Sequence, residues 1–199
     1  MTTTSATLPM TREVTLTRII DAPRGLVWAA WTEPKHMAQW WGPHQFTNPI
    51  CEMDVRPGGK MLIHMKAPDG TVYPMPAIFT EVVKPERLRF TAYAEGLDGT
   101  RYLESDTLVT FEQEGGRTRL TVKAKAKGLH PMAPQMLAGM DAGWSQSLEK
   151  LEALVAQIAK QAAAFSGKRR SSPTPAKDAP RTVHSTPRSW RRRPPEPAG

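Results

Sequence analysis

The chain lacks the cross-links that hold many small proteins together, because Cys51 is its only cysteine among 199 residues. One cysteine excludes an internal disulfide and a cysteine-based zinc site. No apolar run approaches the roughly 18 residues that a membrane-spanning helix needs. The first residues, MTTTSATLPMTRE, lack the apolar core of a secretion signal. These absences predict a cytoplasmic protein without a disulfide framework.

Acidic residues are scarce at the end of the chain, where residues 161–199 hold nine Lys or Arg against Asp178 and Glu196. The first 160 residues carry 18 basic and 17 acidic groups, so the formal net charge of +8 belongs almost entirely to this end. Residues 166–199 also hold seven prolines and few apolar side chains, which predicts disorder. An argument for nucleic-acid contact from charge therefore concerns this tail only.

Strands are predicted by alternation and by turn signals. EVTLTRII at residues 13–20 is a β-rich alternating run, Asp69-Gly70 marks a hairpin, and Gly115-Gly116 marks another. Pro74 and Pro76 predict an edge or bulged strand. DVRPGG, ending at Gly59, is interpreted as a turn. After the last hairpin one face is apolar or small, which is typical of a sheet with one buried face. Its residues are Thr118, Leu120, Val122, Ala124 and Ala126.

Four of the six tryptophans lie within residues 28–43, WAAWTEPKHMAQWWGP. Pro23 and Pro34 each suit the first turn of a helix, so we predict two short consecutive helices here. A long helix is predicted over about residues 133–160, where apolar residues recur every three or four positions. These are Met136, Met140, Trp144, Leu148, Leu151, Val155 and Ile158, and the polar side carries Glu149, Lys150, Glu152 and Gln157.

The predicted order is one strand, two short helices, about six antiparallel strands and one long helix. An antiparallel sheet with one apolar face needs an element that covers it, and the last helix is the one that is long and amphipathic enough. The sequence therefore predicts an α+β fold. A curved antiparallel sheet wraps around a long C-terminal helix, and the two tryptophan-bearing helices close one end.

Five segments, in this order, resemble one known superfamily. They read IIDAPRGLVWAAWTEPKHMAQWWGP, MDVRPGG, EVVKPERLRFTA, TLVTFEQEGGRTRLTV and GWSQSLEKLEALV, and span about residues 13–158. They resemble the START-like (SRPBCC, helix-grip) superfamily, in its branch named for the C-terminal domain of the activator of the heat-shock protein 90 ATPase. The resemblance implies a helix-grip domain at residues 13–162. A flexible leader at 1–12 and a disordered basic tail at 163–199 flank it.

The resemblance also implies a cavity between the sheet and the long helix, often open to apolar ligands. Relatives include ligand carriers, aromatic polyketide cyclases and chaperone cofactors, and one fold hosts many functions. Three functions stay open on this basis. The preferred one is a non-catalytic domain that binds a small apolar or aromatic ligand. The alternatives are a co-chaperone-like regulator and a polyketide cyclase or dehydratase.

The candidate cavity residues are aromatic and methionine side chains. Methionine is soft and adaptable, which suits a pocket for varied apolar guests, and the same side chains also suit a core. Trp28 and Trp31 fit core packing better than a cavity wall. The candidates are Trp40, Trp41, Met61, Met65, Phe90, Met136, Met140 and Trp144.

Catalytic and metal-binding motifs are absent from the sequence. Its five histidines form no Ser/His/Asp, Cys/His or HExxH pattern. An enzyme of this fold could still act through one polar residue inside an apolar cavity. Candidates for that role are His64, Tyr73, Tyr93 and Tyr102. We expect no catalytic residue, no metal and no cofactor.

The basic tail has three interpretations. It contacts nucleic acid or acidic surfaces weakly and without sequence preference, it is a proline-rich linker or partner ligand, or it has no binding role. The last is preferred, although Trp190 beside Arg191-Arg192-Arg193 keeps the first open. The expected partners of the domain itself are a small apolar molecule or, in the alternative, a chaperone.

Overall fold

The computed structural model describes residues 10–170, with side chains as far as residue 164. Seven strands and four helices form in this range. In chain order they are β1 (Thr11–Ile20), α1 (Arg24–Thr32), α2 (Pro34–Trp40), β2 (Thr47–Met53), β3 (Lys60–Lys66), β4 (Val72–Val83), β5 (Arg87–Glu95), β6 (Arg101–Glu114), β7 (Arg117–Gly128), α3 (Ala133–Ala138) and α4 (Met140–Arg170).

The seven strands form one antiparallel sheet in the order β1-β7-β6-β5-β4-β3-β2. On β7 the predicted inner residues, alternating from Thr118 to Ala126, are all buried. Helix α4 covers this face, and Leu148, Leu151 and Val155 pack into the same core as the inner side chains of the sheet. The predicted α+β helix-grip fold, a curved sheet around a long C-terminal helix with two short helices after the first strand, is confirmed.

The two prolines of β4 predicted an edge strand or a bulged strand, and only the second alternative is correct. β4 is not an edge strand, since it lies between β3 and β5. Its ladder with β5 begins at Ala77 and is irregular after Phe79, so the bulged alternative holds. Pro74 and Pro76 precede that ladder and pair with β3 alone. Because proline has no backbone N–H, it cannot donate a ladder hydrogen bond. At Pro74 and Pro76 no hydrogen bond to β5 is lost, since the β4–β5 ladder does not reach them.

The C-terminal helix differs from its predicted range at both ends. Gly139 separates α3 from α4, and its ψ of −4° departs from the α-helical value of about −42°. The prediction of one continuous helix from residue 133 is therefore wrong. α4 continues to Arg170, so the predicted tail boundary at 163 falls inside it. The residues on either side of that boundary, QAAA at 161–164, favour helix. Residues 1–9 and 171–199, with most of the predicted leader and tail, lie outside the described residues.

The tryptophans of α1 and α2 form an aromatic cluster in the core. Trp31 is fully buried, and its ring centroid lies 4.6 Å from that of Trp40 and 6.1 Å from that of Phe111. The indole N–H of Trp40 donates a 2.9 Å hydrogen bond to the carbonyl oxygen of Ala30. Helices this short are marginal alone, so this packing is what stabilises α1 and α2.

The DVRPGG segment forms a tight turn before β3, as predicted. Asp54 and Arg56 pair with each other, at 2.8 Å between Arg56 Nε and Asp54 Oδ2. A Cβ added to Gly59 would lie 1.9 Å from the carbonyl oxygen of Asp54. The backbone therefore approaches Gly59 too closely for any side chain, which gives this glycine a structural role.

Candidate functional site

A cavity of about 160 Å³ lies between the inner face of the sheet and α4. Its wall combines aromatic rings, methionines and small side chains. The aromatic and methionine members are Trp41, Met65, Met75, Phe90, Met140 and Trp144. A concave wall that is mostly apolar, with few polar groups, is typical of a small-molecule site.

The cavity exists because three neighbouring strands carry small side chains at the same level of the sheet. Ala92 on β5 pairs with Ser105 on β6, which pairs in turn with Ala126 on β7. All three line the cavity. Nearer the other end of the same strands, the matching row is large and buried, and consists of Leu88, Val109 and Val122. The change from large to small side chains leaves an unfilled space at one end of the core.

Helix α4 and the segment after α2 form the opposite wall. The α4 members are Met140, Gly143, Trp144 and Ser147. They recur every three or four residues, so they share one face of the helix. The segment after α2 contributes Trp41, whose ring centroid lies 5.4 Å from that of Trp144 and 6.2 Å from that of Phe90. Three aromatic rings from three elements therefore surround one space.

Lys150 connects these two parts of the wall. Its ammonium nitrogen lies 3.2 Å from the carbonyl oxygen of Gly42 and 3.4 Å from those of Trp41 and Pro43. A fourth carbonyl oxygen, of Phe46, lies at 3.5 Å. Burial lowers the pKa of Lys150. Helical periodicity placed Lys150 on the polar side of α4, and no local signal shows that it reaches the loop after α2.

Five of the eight predicted cavity residues line this cavity: Trp41, Met65, Phe90, Met140 and Trp144. The other three lie elsewhere. Trp40 is fully buried in the tryptophan cluster, and Met61, on the same strand as Met65, is buried in the core. Met136 lies on α3, which Gly139 separates from α4, so it does not continue the cavity face.

The small and hydroxylated part of the wall was not predicted from the sequence. These residues are Ala92, Ala94, Ser105, Thr107, Ala126 and Ser147, and Met75 and Leu103 were missed as well. Alternation predicts the inward direction of Ala126. A run of small residues at inward positions of several strands is the signal that could have indicated a cavity. Reading it requires the register between strands, which the sequence does not provide.

Besides the indole N–H groups of Trp41 and Trp144, the cavity wall of the described chain carries the hydroxyls of Ser105, Thr107 and Ser147. Ser147 Oγ donates to the carbonyl oxygen of Gly143 at 2.7 Å, and Ser105 Oγ donates to that of Ala92 at 3.4 Å. Thr107 Oγ1 is buried and has no hydrogen-bond partner within residues 10–170. No ionisable side chain lines the cavity in the described part of the chain, and His64, Tyr73, Tyr93 and Tyr102 lie off its wall.

Between residues 10 and 170 no group of three or more His, Cys, Asp or Glu side chains could hold a metal ion. No helix in that same range is long and apolar enough to cross a membrane.

The family model described as "Activator of Hsp90 ATPase homolog 1-like protein" matches residues 21–156, which is more than half of the chain. The chain belongs to this family. The match to the Activator of Hsp90 ATPase homolog 1-like family includes α1, α2, strands β2 to β7 and the first half of α4. It therefore includes every residue that lines the cavity. No curated protein matches the chain.

Solved structures share the fold. A crystal structure of a Nitrosomonas europaea protein is 26% identical and covers 75% of this chain and 97% of its own, with a TM-score of 0.61. A solution structure from Arthrobacter aurescens is also 26% identical and covers 73% and 86%, with a TM-score of 0.64. A crystal structure from Chromobacterium violaceum, again 26% identical, covers 72% and 96%, with a TM-score of 0.60.

Proposed function

We propose that this domain binds a small apolar or aromatic molecule in the cavity between the sheet and α4, without catalysis. The observation that carries the proposal is the wall itself, in which Trp41, Phe90 and Trp144 surround a space of about 160 Å³. In a well-studied engineered case, an apolar cavity of roughly 150 Å³ stays dry and binds benzene. A guest of one aromatic ring therefore matches this volume.

The chemistry of the wall favours binding over catalysis. General acid–base catalysis needs a titratable group within hydrogen-bond reach of the reacting atoms. The wall offers hydroxyls, sulfurs and rings, and within residues 10–170 it offers no carboxylate, imidazole or amine. This is why the cyclase or dehydratase alternative has less support than a carrier or sensor role. The absence of a spanning helix in the described range fits the cytoplasmic location that we propose.

The test uses p-xylene, a one-ring apolar probe, with Trp41 and Trp144 as reporters on the cavity wall. For eight non-hydrogen atoms we expect a dissociation constant of about 0.1–1 mM. Binding should change tryptophan emission and raise the melting temperature through linkage. The Ala92→Leu variant, whose new side chain occupies the cavity, should remain folded and lose both responses. An unchanged response in Ala92→Leu would place the binding elsewhere and contradict the proposal.

A co-chaperone role is the second candidate, and the family's description, which names an activator of the Hsp90 ATPase, supports it. The test is the ATPase rate of a purified heat-shock protein 90 with and without this chain. An increase that Ala92→Leu leaves intact would support action through the outer surface. An unchanged ATPase rate would remove this candidate.

A further inference from the structure

Thr107 is the cavity residue whose chemistry the apolar wall does not explain. It lies on β6 between Phe90 of β5 and Ala124 of β7, and its side chain is 1% exposed. Its hydroxyl has no partner among residues 10–170. A buried hydroxyl without a hydrogen bond destabilises the folded state, and valine has nearly the same shape without that cost.

Two other buried hydroxyls, one on α4 and one on β7, show how such a group is normally satisfied. Ser147 Oγ donates to the carbonyl of Gly143 on its own helix. Thr118 Oγ1, which is off the cavity, donates at 2.7 Å to the carbonyl oxygen of Ala22. Thr107 differs from Thr118 in two respects, because it lines the cavity and has no such acceptor. The residue that carries the unpaired hydroxyl is therefore also part of the cavity wall.

We infer that the guest carries one uncharged hydrogen-bonding group, a hydroxyl or a carbonyl, that pairs with Thr107 Oγ1. This inference rests on the proposed ligand-binding function. A threonine hydroxyl both donates and accepts, so either group is a suitable partner. Rotation about the Cα–Cβ bond moves the hydroxyl between staggered positions, so it can turn toward a guest. The guest's group is uncharged because the wall, within the described residues, offers no charge to pair with it.

The experiment compares two probes of nearly identical shape, p-cresol and p-xylene, in which a hydroxyl replaces a methyl group. Their dissociation constants are measured by calorimetry on the full chain and on Thr107→Val, Thr107→Ser and Thr118→Val. When the ratio of the two constants is compared between two proteins, the cost of removing the p-cresol hydroxyl from water cancels, because it is the same for both. Thr107→Val should lower the preference for p-cresol about fivefold to tenfold, the value of one neutral hydrogen bond. Thr107→Ser and Thr118→Val should preserve it.

The outcomes separate this inference from the function on which it rests. If p-xylene binds and Thr107→Val leaves the probe preference within twofold of the original, the inference is wrong and the ligand-binding proposal stands. If neither probe binds the unmodified chain, both are overturned. If the preference falls in Thr107→Val and returns in Thr107→Ser, the hydroxyl of Thr107 is the polar anchor of the site.

Melting without any probe gives an independent readout. Thr107→Val removes a hydroxyl that has no partner, so it should melt at or above the temperature of the unmodified chain. Thr118→Val removes a hydroxyl that donates to Ala22, so it should melt several degrees lower. A fall in Thr107→Val as large as that in Thr118→Val would mean that the Thr107 hydroxyl is already paired within the fold, which overturns the inference.

Discussion

Replacing Ala92 by leucine should stabilise the protein, whereas the same replacement at Ala30 should destabilise it. Ala92 is buried on β5 and lines the cavity. Ala30 is buried on α1 and is not one of the residues that line the cavity. Both changes add the same atoms to an interior alanine. They differ in whether unfilled space is present to receive those atoms.

The magnitude follows from the three carbon atoms that leucine adds, for which the space of about 160 Å³ beside Ala92 leaves room. Leucine adds three carbons, which contribute about 0.8 kcal/mol each when buried, and loses about 0.5–1 kcal/mol of rotamer entropy. Ala92→Leu should therefore gain about 1–2 kcal/mol. Ala30→Leu should lose about 1–3 kcal/mol by overpacking, even though leucine is a good helix former.

Thermal and urea unfolding of the two variants and the unmodified chain measure these changes. For a chain of this length, about 1 kcal/mol corresponds to a shift of roughly 2–4 °C in melting temperature. We expect Ala92→Leu to melt about 2–8 °C higher and to lose p-xylene binding. If Ala92→Leu is destabilised as much as Ala30→Leu, then no cavity of this size borders Ala92.

Three other predictions concern sites around the cavity and the core. Gly59→Ala should lose about 3 kcal/mol or more in urea unfolding, because its Cβ would meet the Asp54 carbonyl. Gly25→Ala, which meets no atom within 4 Å, should gain about 0.5 kcal/mol as a helical alanine, and equal effects would contradict the geometry. Lys150→Met should lose about 1 kcal/mol at pH 7, because carbonyl oxygens of the loop after α2 lose their donor. Since burial lowers the pKa of Lys150, the unfolded chain binds its proton more tightly. The free energy of unfolding of the unmodified chain should therefore increasingly exceed that of Lys150→Met as the pH rises toward the ordinary lysine pKa of 10.5. A difference that shrinks over this pH range would contradict the lowered pKa. Burial raises the pKa of Cys51 to about 11, so iodoacetamide at pH 8 should alkylate it about 100-fold more slowly than a cysteine in a short peptide. A peptide-like rate would show that the thiol is not desolvated.

Local signals in the sequence were enough to predict the elements and the fold class. The alternation of β7 from Thr118 to Ala126 matches its buried positions, and Asp69-Gly70 lies between β3 and β4. Pro34 occupies the start of α2. Such signals are readable because the two-residue period of a strand and the 3.6-residue period of a helix arise from backbone geometry within a few residues. Gly139 shows their limit, since the apolar period continues across the helix break.

The large members of the cavity wall were partly predictable, and the small ones were not. Trp41 and Trp144 stand out in the sequence because buried tryptophan is large and needs a defined environment. Trp40 stands out equally, yet it packs against Trp31 in the core. The way α2 ends against α4 decides which of these two adjacent tryptophans faces the cavity. The contacting residues of α2 and α4 are about a hundred residues apart in the sequence.

The periods of the elements, their order along the chain and their buried faces therefore follow from the sequence alone. Three features of the site appear only in the folded structure. Ala92, Ser105 and Ala126 form one row of small side chains, and Lys150 binds the loop after α2. The hydroxyl of Thr107 has no hydrogen-bond partner in the described part of the chain. A cavity is a shortage of atoms among residues distant in sequence. A cavity forms only when strand register and helix position bring those residues together. No local sequence pattern shows whether their side chains together fill the space between sheet and helix.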